Sequence, residues 1–270
     1  MIVVIRGGGD LASGVALRLY RSGLRVVVTE LEQPLALRRS VAFAEAVYTG
    51  ESSVEGIEAR KVSDPTDLLR VLNVLSKAQI PVLVDPEGAA ITMLHPSVVV
   101  DGRMLKRNVD LIPERVSLLV GLGPGFSAGK NCHAVVETQR GHSLGRVIWH
   151  GTSLPDSGIP EGVSGRSTER VLRSPAAGKF VALSEIGAHL EPGQIVAEVD
   201  GAPIKAPFRG VLRGLLYSGL VVEEGAKIGD VDPRDDRALC QFVSDKALAV
   251  GGGVLEAILS RSELRAGFWK

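Results

Sequence analysis

Ile2 to Ile5 is a short, β-rich apolar run, and Gly7-Gly8-Gly9-Asp10-Leu11-Ala12-Ser13-Gly14 follows it at once. A helix-period pattern then begins at Ala12, with Val15, Ala16 and Leu19 on one face and Gly23 as its stop, before a second strand over Leu24 to Thr29. Strand, glycine turn, helix and strand in that order restrict the N-terminal region to α/β layering. Gly7-x-Gly9-x-x-Ala12 fits the dinucleotide fingerprint in its expected context. The first glycine permits the turn, the second lets a phosphate approach the backbone, and the small third residue lets helix pack on sheet. Glu30 stands about 20 residues on, where a carboxylate accepts ribose hydroxyls and disfavours a 2′-phosphate, so NAD is preferred over NADP. Gly7, Gly8, Gly9, Asp10, Ala12 and Glu30 are therefore the first candidate cofactor-binding set. Asp10 adds negative charge beside the amides that meet phosphate, or else serves as a helix cap.

Further along, Asp64-Pro65-Thr66-Asp67 reads as the start of a helix with Leu68, Leu69, Leu72 and Leu75 as its apolar face. Pro81 to Asp85 and Ser97 to Val100 are strand candidates, and 103–107 reads as a solvated turn-strand edge. Asp85 ends its strand, where open α/β sheets place ligands and where turns also favour Asp-Pro. Val116 to Leu122 is the clearest buried strand. It empties into Gly121-Leu-Gly-Pro-Gly-Phe-Ser-Ala-Gly-Lys130, whose Gly123, Gly125, Ser127, Gly129 and Lys130 suggest a second anion cradle. That stretch lacks the Gly-Lys-Ser/Thr ending of a P-loop.

Cys132, His133, Glu137, Arg140 and His142 come next. Period two places His133, Val135 and Glu137 on one strand face, so His133 could move a proton beside a carboxylate while Arg140 and His142 meet a phosphate. Cys132 points the other way, which weakens a Cys/His pair and leaves it a chalcogen contact or a structural thiol. His133, His142 and Cys132 are the catalytic candidates. The donors lack the tight spacing of a zinc site, and no Gly-x-Ser-x-Gly elbow occurs, so no metal is expected.

Residues 153–167, with three glycines and two prolines, read as an interdomain connection. Beyond it lies an internal repeat at an offset of 32: Ser174-Pro-Ala-Ala-Gly178 aligns with Ala206-Pro-Phe-Arg-Gly210, Gly187 with Gly219, Gly193 with Gly225. Two such hairpin units should clasp into one small β module. It resembles the barrel-sandwich hybrid of biotinyl and lipoyl carriers, although Lys205 lacks the flanking methionines of a modified lysine. The tail reads as two helices, 244–250 and 254–259, separated by Gly251-Gly252-Gly253 and returning to the α/β part.

The fold class expected is thus α/β, a Rossmann-like N-terminal region plus an inserted barrel-sandwich hybrid built from two 32-residue pseudo-repeats. The expected divisions are 1–112, 113–167, 168–236 and 237–270. Lys plus Arg and Asp plus Glu both number 31 in 270 residues and aromatics are 4%, so the basic footprint of a nucleic-acid binder is missing. No apolar stretch reaches the roughly 20 residues of a membrane span. Nor does the start carry a charged leader, so a cytoplasmic protein is expected.

Arg6-Gly-Gly-Gly-Asp-Leu-Ala-Ser-Gly14, Gly123-Pro-Gly-Phe-Ser-Ala-Gly129, Glu137-Thr-Gln-Arg-Gly-His142, Lys227-Ile-Gly-Asp-Val-Asp-Pro-Arg234 and Gly251-Gly-Gly-Val-Leu-Glu-Ala257 together resemble the accessory proteins of the selenium-dependent molybdenum hydroxylase system. The resemblance implies a maturation factor that binds NAD or a molybdopterin dinucleotide. It also implies a molybdenum hydroxylase client enzyme as partner, with a homo-oligomer as a further expectation. The alternatives are an NAD-dependent oxidoreductase and a non-catalytic scaffold that binds the client.

Overall fold

A computed structural model of the chain describes residues 1–105, 116–158, 160 and 162–268. Part of the expected 103–107 edge and the expected boundary after residue 112 lie outside them. The chain divides into two compact units, one of 1–34, 42–156 and 243–270, the other of 35–41 and 157–242.

The first unit is built on β1 (Ile2–Arg6), α1 (Asp10–Arg21), β2 (Arg25–Glu30), the short α2 (Ala46–Thr49), β3 (Glu51–Val54), β4 (Ile57–Val62), α3 (Leu68–Ser76), β5 (Ile80–Val84), α4 (Ala89–Leu94) and β6 (Val98–Asp101). It continues through β7 (Leu118–Leu122), β8 (Ser127–Ala128), β9 (Ala134–Val136), β10 (Val147–Ile148) and β11 (Gly151–Thr152), and ends in α5 (Asp245–Leu259) and α6 (Ser262–Phe268). Nine strands form one sheet in the order β10-β9-β7-β6-β1-β2-β5-β4-β3. From β4 to β9 neighbouring strands are parallel, while β3 and β10 close the two edges antiparallel. Runs such as Val3-Val4-Ile5 and Val26-Val27-Val28 suit these positions because an interior strand of a covered sheet is apolar on both faces. Val4, Val27, Leu83, Val99, Leu119 and Val135 share one face with Val71 and Val74 of α3 and Ala90 of α4.

On the opposite face α1 packs beside α5. A Cβ on Gly14 would stand 2.5 Å from Ala247 Cβ, and one on Gly251 would meet Arg18 Cβ at 3.0 Å. The contacts advance together along both chains, so the helices run in the same direction at a separation that only small residues allow. Gly253 turns the other way: a Cβ there would sit 2.1 Å from the Gly145 carbonyl oxygen. The three glycines therefore do not separate two helices, as the sequence suggested. They lie inside one continuous helix because the close packing on two sides outweighs glycine's low helix propensity.

A second correction concerns α3. Asp67, not the Asp64-Pro65 pair, caps it by accepting the Arg70 amide at 2.9 Å. The helix faces the sheet with Val71 and Val74, leaving Leu69 81% exposed and Leu68 and Leu72 partly so.

The second unit contains β12 (Val171–Arg173), β13 (Gly178–Ala182), β14 (His189–Leu190), β15 (Ile195–Val199), β16 (Ala202–Lys205), β17 (Gly210–Leu215), β18 (Val221–Val222) and β19 (Lys227–Asp232). They make two antiparallel sheets, β12-β19-β17-β14 and β16-β15-β13-β18. β13 pairs with β18 and β14 with β17, so each half lends a strand to the other half's sheet. Asp230 and Asp232 project from one side of β19 and are buried. Asp230 meets Arg170 at 2.8 Å, Asp232 meets Arg234 at 2.6 Å, and Arg213 reaches both carboxylates.

The expected layout of a Rossmann-like region with an inserted barrel-sandwich hybrid is corrected by this arrangement. The α/β part is a large mixed sheet with antiparallel strands at both edges. The β-rich unit is two open four-stranded sheets, and it also takes in 35–41, which lies far upstream of the expected insertion. Local strand and turn signals locate hairpins but carry little information on which distant edges pair. Among the described residues no helix is long and apolar enough to cross a membrane.

Candidate functional site

The chain builds β1, β2, β5, β4 and β3 to one side and then crosses to lay β6 against β1. Strand order reverses between β1 and β6, and the carboxyl ends flanking such a reversal form the crevice where open α/β sheets hold ligands. Arg6 ends β1, Glu30 ends β2 and Asp101 ends β6, so three charged residues stand at adjoining strand ends.

Four residues of the glycine turn have packing explanations. Gly7 adopts φ +92°, and a Cβ there would stand 3.2 Å from the Gly102 backbone. Gly8 could not carry one without meeting the Ala44 nitrogen at 2.9 Å. Ser13 is buried and bridges two segments, donating to the Gly8 carbonyl at 3.0 Å and accepting the Phe43 amide at 2.8 Å. Ala12 abuts Gly102, where the small pair brings α1 onto the sheet. Gly9 is different. It opens α1 with extended backbone and no side-chain cap, and nothing lies within 4 Å of the place its Cβ would occupy. Asp10 binds the following amide, accepting from Leu11 at 3.0 Å.

Glu30 folds back onto this turn. Its Oε2 accepts the Gly8 amide at 2.7 Å and its Oε1 the Leu31 amide at 2.9 Å. A carboxylate has about four acceptor positions, so two are still available to hydroxyl donors. Burial pushes the Glu30 carboxyl above the ordinary range, against the pull of the Leu31 and Gly8 amides.

Arg6 was not among the sequence candidates. Its signal was a cation ending an otherwise apolar strand immediately before the glycines. It is 6% exposed, donates from Nη2 to the Pro86 carbonyl at 2.8 Å, and has no hydrogen-bond partner at Nε among the described residues. Burial, then the neighbouring Arg103, lowers its affinity for the proton, while Asp101, Asp85 and Glu87 oppose them. Asp85 is buried and consumed by the start of α4, accepting the Gly88, Ala89 and Ala90 amides at 2.8–2.9 Å. Its strand-end position therefore serves a helix cap.

The remaining sequence candidates do not gather here. In the second glycine stretch four of the five candidate residues have their amides bound within the protein. Gly123 donates to Val136, Ser127 to the Asn131 side chain, Gly129 to the Cys132 carbonyl and Lys130 to the Ser127 carbonyl. Gly125 is buried and its carbonyl accepts from Asn131, while Phe126 folds onto Gly121. The expected cradle is a closed turn whose Lys130 side chain stands exposed.

Cys132 is buried in the apolar cluster against Phe126 and Val135, and burial pushes its thiol up to about 11. Burial and the raised pKa keep this thiol protonated near neutral pH, which disfavours it as a nucleophile. His133 lies at the amino end of β9, away from the strand ends that face the crevice. Its Nδ1 accepts the Leu119 amide at 2.8 Å, and burial, then Arg261, favours the neutral ring. Glu137 lies at the other end of that strand, buried, accepting the Gln139 and Leu154 amides. His133 and Glu137 are not partners. Arg140 is engaged by Asp245 through two contacts of 2.5 and 2.6 Å, and His142 is exposed. Among the described residues no group of three or more potential ligands is placed to hold a metal.

No protein-family model matches the chain. It is 46% identical over 258 residues to an uncharacterized protein, YqeB, of Escherichia coli K12, with 96% of this chain aligned but 47% of that protein. The chain thus spans about half the length of that relative. Among solved structures it is similar to an aspartoacylase family protein of Mesorhizobium loti, 12% identical with a TM-score of 0.29 and 85% and 84% of the two chains covered. A succinylglutamate desuccinylase/aspartoacylase of Rhodobacter sphaeroides is similar at 15% identity and a TM-score of 0.26, with 85% and 84% covered. These structural scores are too low to transfer a fold or an activity. The relatives found do not include the molybdenum hydroxylase accessory family, and the expectation of that family, its client and its molybdenum cofactor is corrected accordingly. Parts of two of the blocks that suggested it are accounted for by packing: Gly251 and Gly253 by close contacts with α1 and with the Gly145 carbonyl, and Lys227 to Arg234 by a strand with its buried ion pairs.

Proposed function

We propose that the chain binds a nucleotide at the carboxyl end of β1, with ribose hydroxyls on the free acceptor positions of Glu30 and a phosphate at the start of α1. The observation that carries this reading is the contrast within the turn. Gly7 and Gly8 are required by backbone conformation or close contact, whereas Gly9 faces open space at an uncapped helix start. Amides at that position, reinforced by the helix dipole, favour an anion. The carboxylate beside it makes NAD the preferred dinucleotide, because a 2′-phosphate would meet like charge. Cys132 and His133 are committed elsewhere, so the site's chemistry is recognition of sugar and phosphate by backbone amides and one carboxylate.

Isothermal titration of the purified chain with adenosine, AMP, NAD and NADP tests the reading. NAD should bind more tightly than NADP, and Gly9→Val should weaken NAD with little effect on melting temperature. Absence of binding by all four ligands would remove it.

A further inference from the structure

Resting on that nucleotide reading, we infer that Arg6 is a binding residue for the second phosphate of a diphosphate-bearing nucleotide, the first being held at the start of α1. Arg6 is more than nine-tenths buried, yet its Nε proton has no acceptor among the described residues. A buried guanidinium with an unmade bond is costly, and it persists where something completes it.

Its carboxylate neighbours do not complete it. Asp85 is spent on three amides of α4. Asp101 is held by Arg103, through Nε at 3.0 Å and Nη2 at 2.6 Å, and also accepts the Arg103 amide. Glu87 is exposed. Among the described residues, Arg6 donates to the Pro86 carbonyl, a neutral group.

Position then selects the ligand class. Arg6 follows Val4 by two residues and so leaves β1 on the α4 face, where its guanidinium carbon would be 3.4 Å from a Cβ on Gly88. The start of α1 lies on the opposite face. Arg6 and Gly9 are three residues apart, at most about 10 Å of extended chain, so both stand at the same strand end. A ligand that satisfies both must carry two oxyanions a short distance apart across the strand end, as a diphosphate does. Arginine suits the role because its planar fork binds phosphate oxygens at two points.

Titration calorimetry with adenosine, AMP, ADP and inorganic pyrophosphate provides the test. The wild-type chain should prefer ADP to AMP by about tenfold or more, and Arg6→Lys, which keeps the charge but loses Nε and the fork, should bring that ratio near one without changing AMP affinity. In the wild type, the Nε proton resonance of Arg6 should shift on adding ADP and stay in place with AMP, a measurement that stands even if R6K does not fold. Equal affinity for ADP and AMP, or an unmoved Arg6 resonance at saturating ADP, overturns the role of Arg6 and leaves nucleotide binding intact. Pyrophosphate binding with no binding of adenosine or AMP would instead overturn the nucleotide reading while retaining Arg6 as an oxyanion site.

Discussion

Glu30 Oε2 accepts the Gly8 amide at 2.7 Å, so the carboxylate at the end of the second strand is fixed to the turn that follows the first. Its burial disfavours the charged form and raises its pKa. In the folded state the group therefore takes up its proton before it does in the unfolded chain, and stability from this group declines as pH rises through the window between the two values. Ligand binding has the opposite dependence, because the ionised carboxylate is the hydroxyl acceptor. Adenosine affinity should fall as pH is lowered, beginning above the ordinary carboxylate range. Glu30→Gln should remove most of that dependence and narrow the preference for NAD over NADP by about tenfold. Titrations of both proteins from pH 4 to 8 would check this, and parallel pH profiles would refute it.

The run Gly251-Gly252-Gly253 gives three neighbouring substitutions with different outcomes. A Cβ at Gly253 would collide with the Gly145 carbonyl at 2.1 Å, whereas none of the surrounding atoms lies within 4 Å of one at Gly252. Gly252→Ala should stabilise the chain by about 0.5–1 kcal/mol through helix propensity. Gly253→Ala must displace backbone and should destabilise by about 1–3 kcal/mol, with Gly251→Ala between them. Urea unfolding of the three variants measures the order directly.

How much of this was legible follows from the range of the signals. The strand, glycine turn and helix over residues 2–21 can be read because the apolar run, the breakers and the helix period lie within one short window. The burial of Val71 and Val74 in place of Leu68, Leu69 and Leu72 depends on where the sheet lies, and leucine content alone does not say so. His133 and Glu137 share a strand period, yet one serves the Leu119 amide and the other the loops beyond β9. Arg6 carries no local mark because its surroundings, the Pro86 carbonyl and the committed carboxylates of Asp85 and Asp101, are brought together by strand order. Pairings between distant edges, such as β13 with β18, leave no local trace either.

Both cysteines are buried and unpaired, with burial raising both thiols, Cys132 to about 11. Thiolate is the reactive form, so neither should react in the folded chain near neutral pH. Iodoacetamide at pH 7.5 followed by intact mass measurement should show no adduct on native protein and two after denaturation. Rapid labelling of Cys132 in the native state would show that the cluster containing Phe126 opens and that this thiol is a reactive group.

Asp232 is buried on β19 between Arg234 and Arg213, at 2.6 and 3.1 Å. Burial alone would raise its pKa, but hydrogen bonds and charge from Arg234, with charge from Arg213, outweigh it and hold the carboxyl well below the usual range. A depressed folded value means that this group's stabilisation is present above the unfolded carboxylate pKa and is lost only as pH falls through the folded one. Asp232→Asn should therefore lower stability at pH 7 by about 2–4 kcal/mol, since it removes the carboxylate that the half-buried Arg213 and Arg234 share. The difference between variant and wild type should stay constant from pH 7 to about 5 and shrink only under stronger acid, as the wild-type carboxylate is neutralised. Thermal melts across that range decide it. A difference that vanished by pH 5 would mean that the two arginines do not hold Asp232 ionised.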